Sequence, residues 1–92
     1  MPKFVGWSPS KAGQRILAEA LARDLGPRGI HVAYVVIDAV IDMPFARQRM
    51  GDHPDDFYAR PADLAGEIYH VAHQPKSARS FLVELRPFGE KW

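Results

Sequence analysis

The chain has 92 residues, 47% of them apolar and 25% charged, with a formal net charge of +1 and no cysteine. This length allows one domain at most, residues 1–92, and a domain this small hides a thin core. The composition excludes a disordered chain, the charge gives no bulk attraction for nucleic acid or an anionic membrane, and the missing cysteines exclude a disulfide scaffold, a zinc knuckle and thiol catalysis.

No apolar run is long enough to span a bilayer, and MPKFVGW lacks the apolar core of a signal peptide. A cytoplasmic location is therefore expected. The first predicted element is a helix over residues 8–25. Ser8 can cap it, and Pro9 suits its first position, where a missing N–H costs nothing. Ile16, Leu17, Ala20, Leu21 and Leu25 recur at helical spacing and predict one apolar stripe facing a sheet. Ala18 and Ala22 lie on a second, small-residue face. Glu19 and Arg23 are four apart in the favourable order. Gly26-Pro27 should end the helix, glycine in the left-handed conformation and proline refusing to continue.

Residues 30–37, IHVAYVVI, are short, β-branched and apolar on both faces. That is the pattern of a parallel strand covered on both sides. Residues 38–60 are broken by Pro44, Gly51 and Pro54. They read as a mobile connection in which residues 45–50 can form a short helix. Arg60-Pro61 opens a second long helix with the stripe Leu64, Ala65, Ile68, Val71 and Ala72, ended by Pro75. Residues 80–85 read as a second strand. A tail over residues 86–92 carries Phe88 and Trp92.

The order helix–strand–helix–strand implies a right-handed crossover between parallel strands. Two such strands leave unpaired edges and make a marginal sheet by themselves. The expectation is an α/β fold with two parallel strands and about three helices, completed by association with another chain.

Several side chains invite a chemical role. His70 and His73 are three apart on a helix, and Asp52, His53, Asp55 and Asp56 lie on a neighbouring loop. A shared metal needs a third ligand at defined geometry, and surface histidines are the favoured reading. The acidic run lacks the ligand spacing and central glycine of a calcium loop, so a solvated loop is expected. His31 alternates within a strand and is expected to be a satisfied core or edge residue. Asp38 and Asp42 follow the carboxyl end of a strand, where open α/β sheets bind small molecules.

Five stretches carry a family resemblance: WSPSKAG (residues 7–13), ALARDLGPRGIHV (residues 20–32), VVIDAVIDMPF (residues 35–45), RPADLA (residues 60–65) and SARSFLVELRPFGEKW (residues 77–92). Together they resemble the C-terminal portion of the short-chain dehydrogenase/reductase family. The similarity is to a subset in which the active-site tyrosine is an aromatic without a hydroxyl. It implies a partial Rossmann-like fold, the C-terminal half only. It places Trp7 at the tyrosine position and Lys11 at the lysine that holds the nicotinamide ribose. It also implies that Lys11, Asp38, Ala39, Ile41 and Met43 border the cofactor, and that residues 42–58 fall in the substrate lid.

The resemblance further implies a homo-oligomer, dimer or tetramer, through the helix at residues 8–25 and the last strand. Full-length relatives bind NAD(P) on a glycine-rich turn near their N-terminus. Nothing here resembles that turn, so no cofactor is expected in this chain. An indole N–H is far too weak an acid to protonate a carbonyl, and Lys11 at a helix start has no desolvating environment to make it one. Trp7 and Lys11 are thus read as vestigial, and no hydride transfer is expected from the chain alone.

Overall fold

The computed structural model describes residues 7–89. Its elements run α1 (Trp7–Leu25), β1 (Tyr34–Ile37), β2 (Val40–Ile41), α2 (Pro44–Met50), β3 (Tyr58–Ala59), α3 (Pro61–Ala72) and β4 (Leu82–Leu85). The expected α/β class, with three helices and parallel strands, is observed. Among the described residues, no helix is long and apolar enough to cross a membrane.

The helix at the start begins one residue earlier than expected, at Trp7. Ser8 therefore stands inside its first turn instead of before it. Pro9 is tolerated there because the first four N–H groups of a helix have no intrahelical partner. The side chains of Trp7 and Ser8 lie outside the described residues. At the other end, Gly26–Arg28 continues as a single 3₁₀ turn with proline in its middle. The left-handed residue is Gly29, at φ 87°, and not Gly26. Its N–H bonds Gly26 O at 2.9 Å, while Ile30 N reaches back to Leu25 O at 3.2 Å.

Strand β1 pairs in parallel with β4, Tyr34 opposite Leu82 and Ile37 opposite Leu85. The ladder is extended by Tyr34 N to Phe81 O at 2.7 Å and Asp38 N to Leu85 O at 3.0 Å. Both strands are shorter than expected. Residues 30–33 do not pair as strand because the stretch before β4 turns instead of running alongside them. The turn is held by Gln74, whose Oε1 accepts the Ser80 N–H at 2.7 Å and whose Nε2 donates to Ser80 Oγ at 2.9 Å. His31 is tied to the same point, Nε2 lying 2.7 Å from Ser80 O.

A second parallel pair, β2 with β3, forms where only a mobile connection was expected. It sets Val40 opposite Tyr58 and Ile41 opposite Ala59, and Asp42 N adds a bond to Ala59 O at 2.8 Å. Both residues of β3 are buried. Among the described residues the buried apolar side chains are Tyr58, Ala59 and, on α3, Val71.

The expected orientation of α1 is overturned. Ile16 is 69% exposed, Leu17 62% and Leu21 43%, so the large apolar stripe points to solvent. The half-buried residues on this helix are Ala18, Glu19, Ala22 and Leu25. Its polar side also serves the contact with β1, since the Tyr34 hydroxyl reaches Lys11 O at 3.4 Å and Gln14 Oε1 at 3.3 Å. In α3, Leu64 and Val71 turn inward as expected, whereas Ala65, Ile68 and Ala72 stay exposed.

The overall dimensions follow. The radius of gyration is 15.8 Å, against about 12 Å for a compact domain of this length. The accessible surface is 7218 Å², against about 5,400 Å² for a folded monomer of this mass. The strand expected to be covered on both sides is only half-buried.

Candidate functional site

The segment after β1 is organised by one side chain that sequence patterning does not reveal. Arg47, on the short helix α2, donates from Nε to Asp42 Oδ1 at 2.7 Å and from Nη2 to Asp42 Oδ2 at 3.0 Å. Its third nitrogen, Nη1, donates to Asp55 Oδ1 at 2.8 Å. The guanidinium also lies 4.4 Å from the centre of the Tyr58 ring. One cation thus joins the end of β2, the 3₁₀ turn Asp55–Phe57 and the buried tyrosine of β3. The planar, five-donor guanidinium is the side chain able to make all these contacts at once. The hydrogen bonds from Arg47 hold the Asp42 carboxyl below its ordinary range. The bonds that Arg47 donates to Asp42, then to Asp55, push its own pKa further up.

His53 stacks on Phe57, with ring centres 4.0 Å apart, and meets Tyr58 edge-on at 6.5 Å. These rings and Arg47 give residues 42–58 a defined shape.

A cleft of about 550 Å³ opens beside this cluster. Tyr58 and Ala59 form its floor, the first turns of α3 one wall, and residues 85–88 the other. Asp42, Asp55, Asp56, Asp63 and Glu67 bring five carboxylates to it, and Arg47, Arg60 and Arg86 bring three guanidiniums. Arg86 follows β4 and is mostly buried. Its Nε donates to Glu84 Oε1 at 3.0 Å, and its Nη2 bonds Asp38 Oδ2 at the end of β1. The bond it donates to Glu84, then that to Asp38, raises the Arg86 pKa against the opposing effect of desolvation. Arg60 pairs with Asp63 at 3.1 Å.

The expected site residues are spread around this cleft and do not line it. Lys11 is exposed on α1. Asp38 is engaged by Arg86, and Ala39 sits half-buried in the bend that follows. Ile41 belongs to β2, and Met43 is the exposed residue capping α2. Asp42, the other acid singled out after the strand, does line the cleft. Trp7 opens α1, its side chain outside the described residues.

Of the two helix histidines, one has a local partner. His73 Nδ1 lies 2.8 Å from Tyr69 O, and its ring stacks on Tyr69 at 4.0 Å. His70 is exposed. Among the described residues, no three His, Cys, Asp or Glu side chains are grouped to hold a metal ion.

The cleft does not fit a dinucleotide. A pyrophosphate needs unpaired donors, free guanidiniums or a helix start clear of acids, and the start of α3 at this cleft carries Asp63 in its first turn. Here carboxylates outnumber the guanidiniums, and each guanidinium is already bonded to carboxylates.

The fold is similar to that of a short-chain dehydrogenase from Rhodopseudomonas palustris, with a TM-score of 0.67 and 35% sequence identity. The likeness covers 92% of this chain and 31% of that one, so the chain spans under a third of the length of this solved relative. No protein-family model matches the chain, and no curated protein matches it. The fold is thus α/β, of the Rossmann-like type found in a segment of a short-chain dehydrogenase. The likeness supports the short-chain dehydrogenase/reductase family.

Proposed function

We propose that this chain is a C-terminal short-chain dehydrogenase/reductase segment that performs no hydride transfer alone and acts as an assembly module. It associates with a second copy of itself, or with a larger relative, through α1 and β4. The observation that carries this is the outward stripe of Ile16, Leu17 and Leu21. An amphipathic helix gains by covering such a stripe, and the stripe here faces water. The surface in excess of a compact monomer's is of the order that a stable interface removes from each partner or more. An NAD(P) site is counted as a property of full-length relatives, in keeping with the carboxylate-rich cleft.

Calorimetric titration of the purified chain with NADPH and NADH, with its mass in solution measured on the same sample, tests both halves of the proposal. No saturable binding at millimolar cofactor and a dimer or tetramer mass are expected. Saturable binding at one site per protomer overturns the inactive assignment. A stable monomer at micromolar concentration that captures no larger relative overturns the assembly role.

A further inference from the structure

One edge of β1 is open. Tyr34 and Asp38 donate their backbone N–H groups to β4. Backbone direction alternates along a strand, so Val36 also faces β4, while the N–H and C=O of Val35 and Ile37 point the other way. The sheet has two strands, β1 and β4, so among the described residues no strand meets these four groups. An edge is ordinarily guarded by lysine, proline or a bulge. Residues 33–37, AYVVI, carry no charge and no proline, and Ile37 is exposed.

The apolar stripe of α1 lies on the same side. Arg15, Glu19, Ala22 and Arg23 share a hollow with Phe81, which leads into β4. Gln14 meets Tyr34 of β1. At about 100° per residue, the order round the helix is Glu19, Ala22, Ala18, Gln14, Leu21 and Leu17. Leu21 and Leu17 therefore come past β1 on the side away from β4, above the open edge. A partner that pairs with the edge also covers these two leucines.

A second copy meets both needs. Two β1 strands related by a two-fold axis normal to the sheet run antiparallel. With the axis midway between the two Val36 residues, Val35 of each copy lies opposite Ile37 of the other. In that pairing opposite residues exchange both N–H···O bonds, so all four open groups of each chain are used. The same axis leaves both α1 helices on one face and brings their leucines together across it. The chain's accessible surface exceeds that of a compact monomer by more than the about 800 Å² that a partner gives to a standard interface.

We propose that the open edge of β1 pairs antiparallel with the same edge of a second copy, giving a continuous four-stranded sheet in the order β4–β1–β1–β4. This rests on the association through α1 proposed above and adds β1 to that surface, while β4 keeps its outer edge.

The test is amide hydrogen exchange of the full chain by NMR, above and below the concentration at which its mass in solution doubles. Val35 and Ile37 should be protected about tenfold or more in the dimer and lose this on dilution. Tyr34 and Val36, bonded to β4, should stay protected throughout. Val35→Pro removes one outward donor and none that bonds β4, and Ile37→Lys places a guarding charge on the edge. Each should raise the dimer dissociation constant about tenfold or more. Far-UV circular dichroism checks that each variant is folded. A dimer in which Val35 and Ile37 exchange as fast as in the monomer, or one that both folded variants leave unchanged, overturns the β1 pairing and leaves association through α1 standing. Protection that appears only with an added full-length short-chain dehydrogenase overturns the second copy as the occupant. A chain that stays monomeric overturns the pairing together with self-association.

Discussion

Arg47 grips both carboxylate oxygens of Asp42, at 2.7 and 3.0 Å, five residues back along the chain. The pair closes the bend between β2 and α2, and through Asp55 it also fixes the turn that leads into β3. Replacing Arg47 by methionine keeps length and removes the fork. The amide of Asp42, bonded to Ala59 O in the wild type, should then exchange with solvent severalfold faster, as local opening becomes easier. Arg47→Lys should recover little, since a compact ammonium lacks the planar fork whose separate nitrogens reach Asp42 and Asp55 together. Hydrogen exchange read by mass spectrometry or NMR decides this.

The same pair sets an acid limit. The bonds from Arg47 lower the folded-state pKa of Asp42, so the folded state binds its proton less readily than the unfolded chain. The stabilisation is complete above the unfolded carboxyl pKa of about 4 and is lost as the pH falls through the lower folded value. Thermal melts of the wild type and Asp42→Asn should differ most near neutrality. The gap should close below about pH 4. A gap independent of pH would show that the charge on Asp42 contributes nothing.

Burial decides which apolar truncations matter. Val71 is buried on α3, whereas Leu17 points to solvent on α1. Val71→Ala should cost about 1.5–3 kcal/mol. Leu17→Ala, the larger truncation, should cost less than about 1 kcal/mol in a monomer. It should instead lower the mass in solution, together with Leu21→Ala. Chemical denaturation and sedimentation on the same variants separate the two effects.

The turn before β4 depends on Gln74. Its carbonyl accepts the Ser80 N–H at 2.7 Å. Gln74→Leu leaves that donor unpaired and should destabilise by about 1–2 kcal/mol. Gln74→Glu keeps the acceptor, and the Ser80 hydroxyl can turn to donate to it, so its cost should be smaller. Denaturant midpoints of the two variants give the order.

Gly29 offers a pure backbone test. At φ 87° an added Cβ meets no atom within 4 Å. Gly29→Ala should therefore cost only the left-handed penalty, about 1–2 kcal/mol, and Gly29→Asn less. Equal stability of all three proteins would mean that the turn relaxes away from this conformation.

The two long helices were legible because their signals are local. Proline near the start of each, glycine-proline or proline after it, and apolar spacing of three and four all act within a few residues. The strand positions were legible too, but their lengths were not, since Ile30 to Ala33 become strand only if a partner runs beside them. For Leu17 and Leu21 the sequence is ambiguous, because periodicity shows that a helix has two sides and not which side is covered. The role of Arg47 is not legible, because an arginine that joins Asp42 to Asp55 leaves no period in the sequence. The same holds for Arg86, whose partner Asp38 lies far away along the chain.

The shallow interior has a consequence for how the protein comes apart. The steepness of a denaturant transition scales with the surface newly wetted on unfolding. With 7218 Å² already in contact with water in the native state, the isolated chain has less left to wet than a compact domain of its mass, roughly four-fifths as much. Its urea curve is therefore somewhat broader, and its m-value falls modestly below that of an ordinary domain of the same length. A partner that covers α1 raises the m-value along with the midpoint, so the slope of the curve itself reports whether the chain is alone.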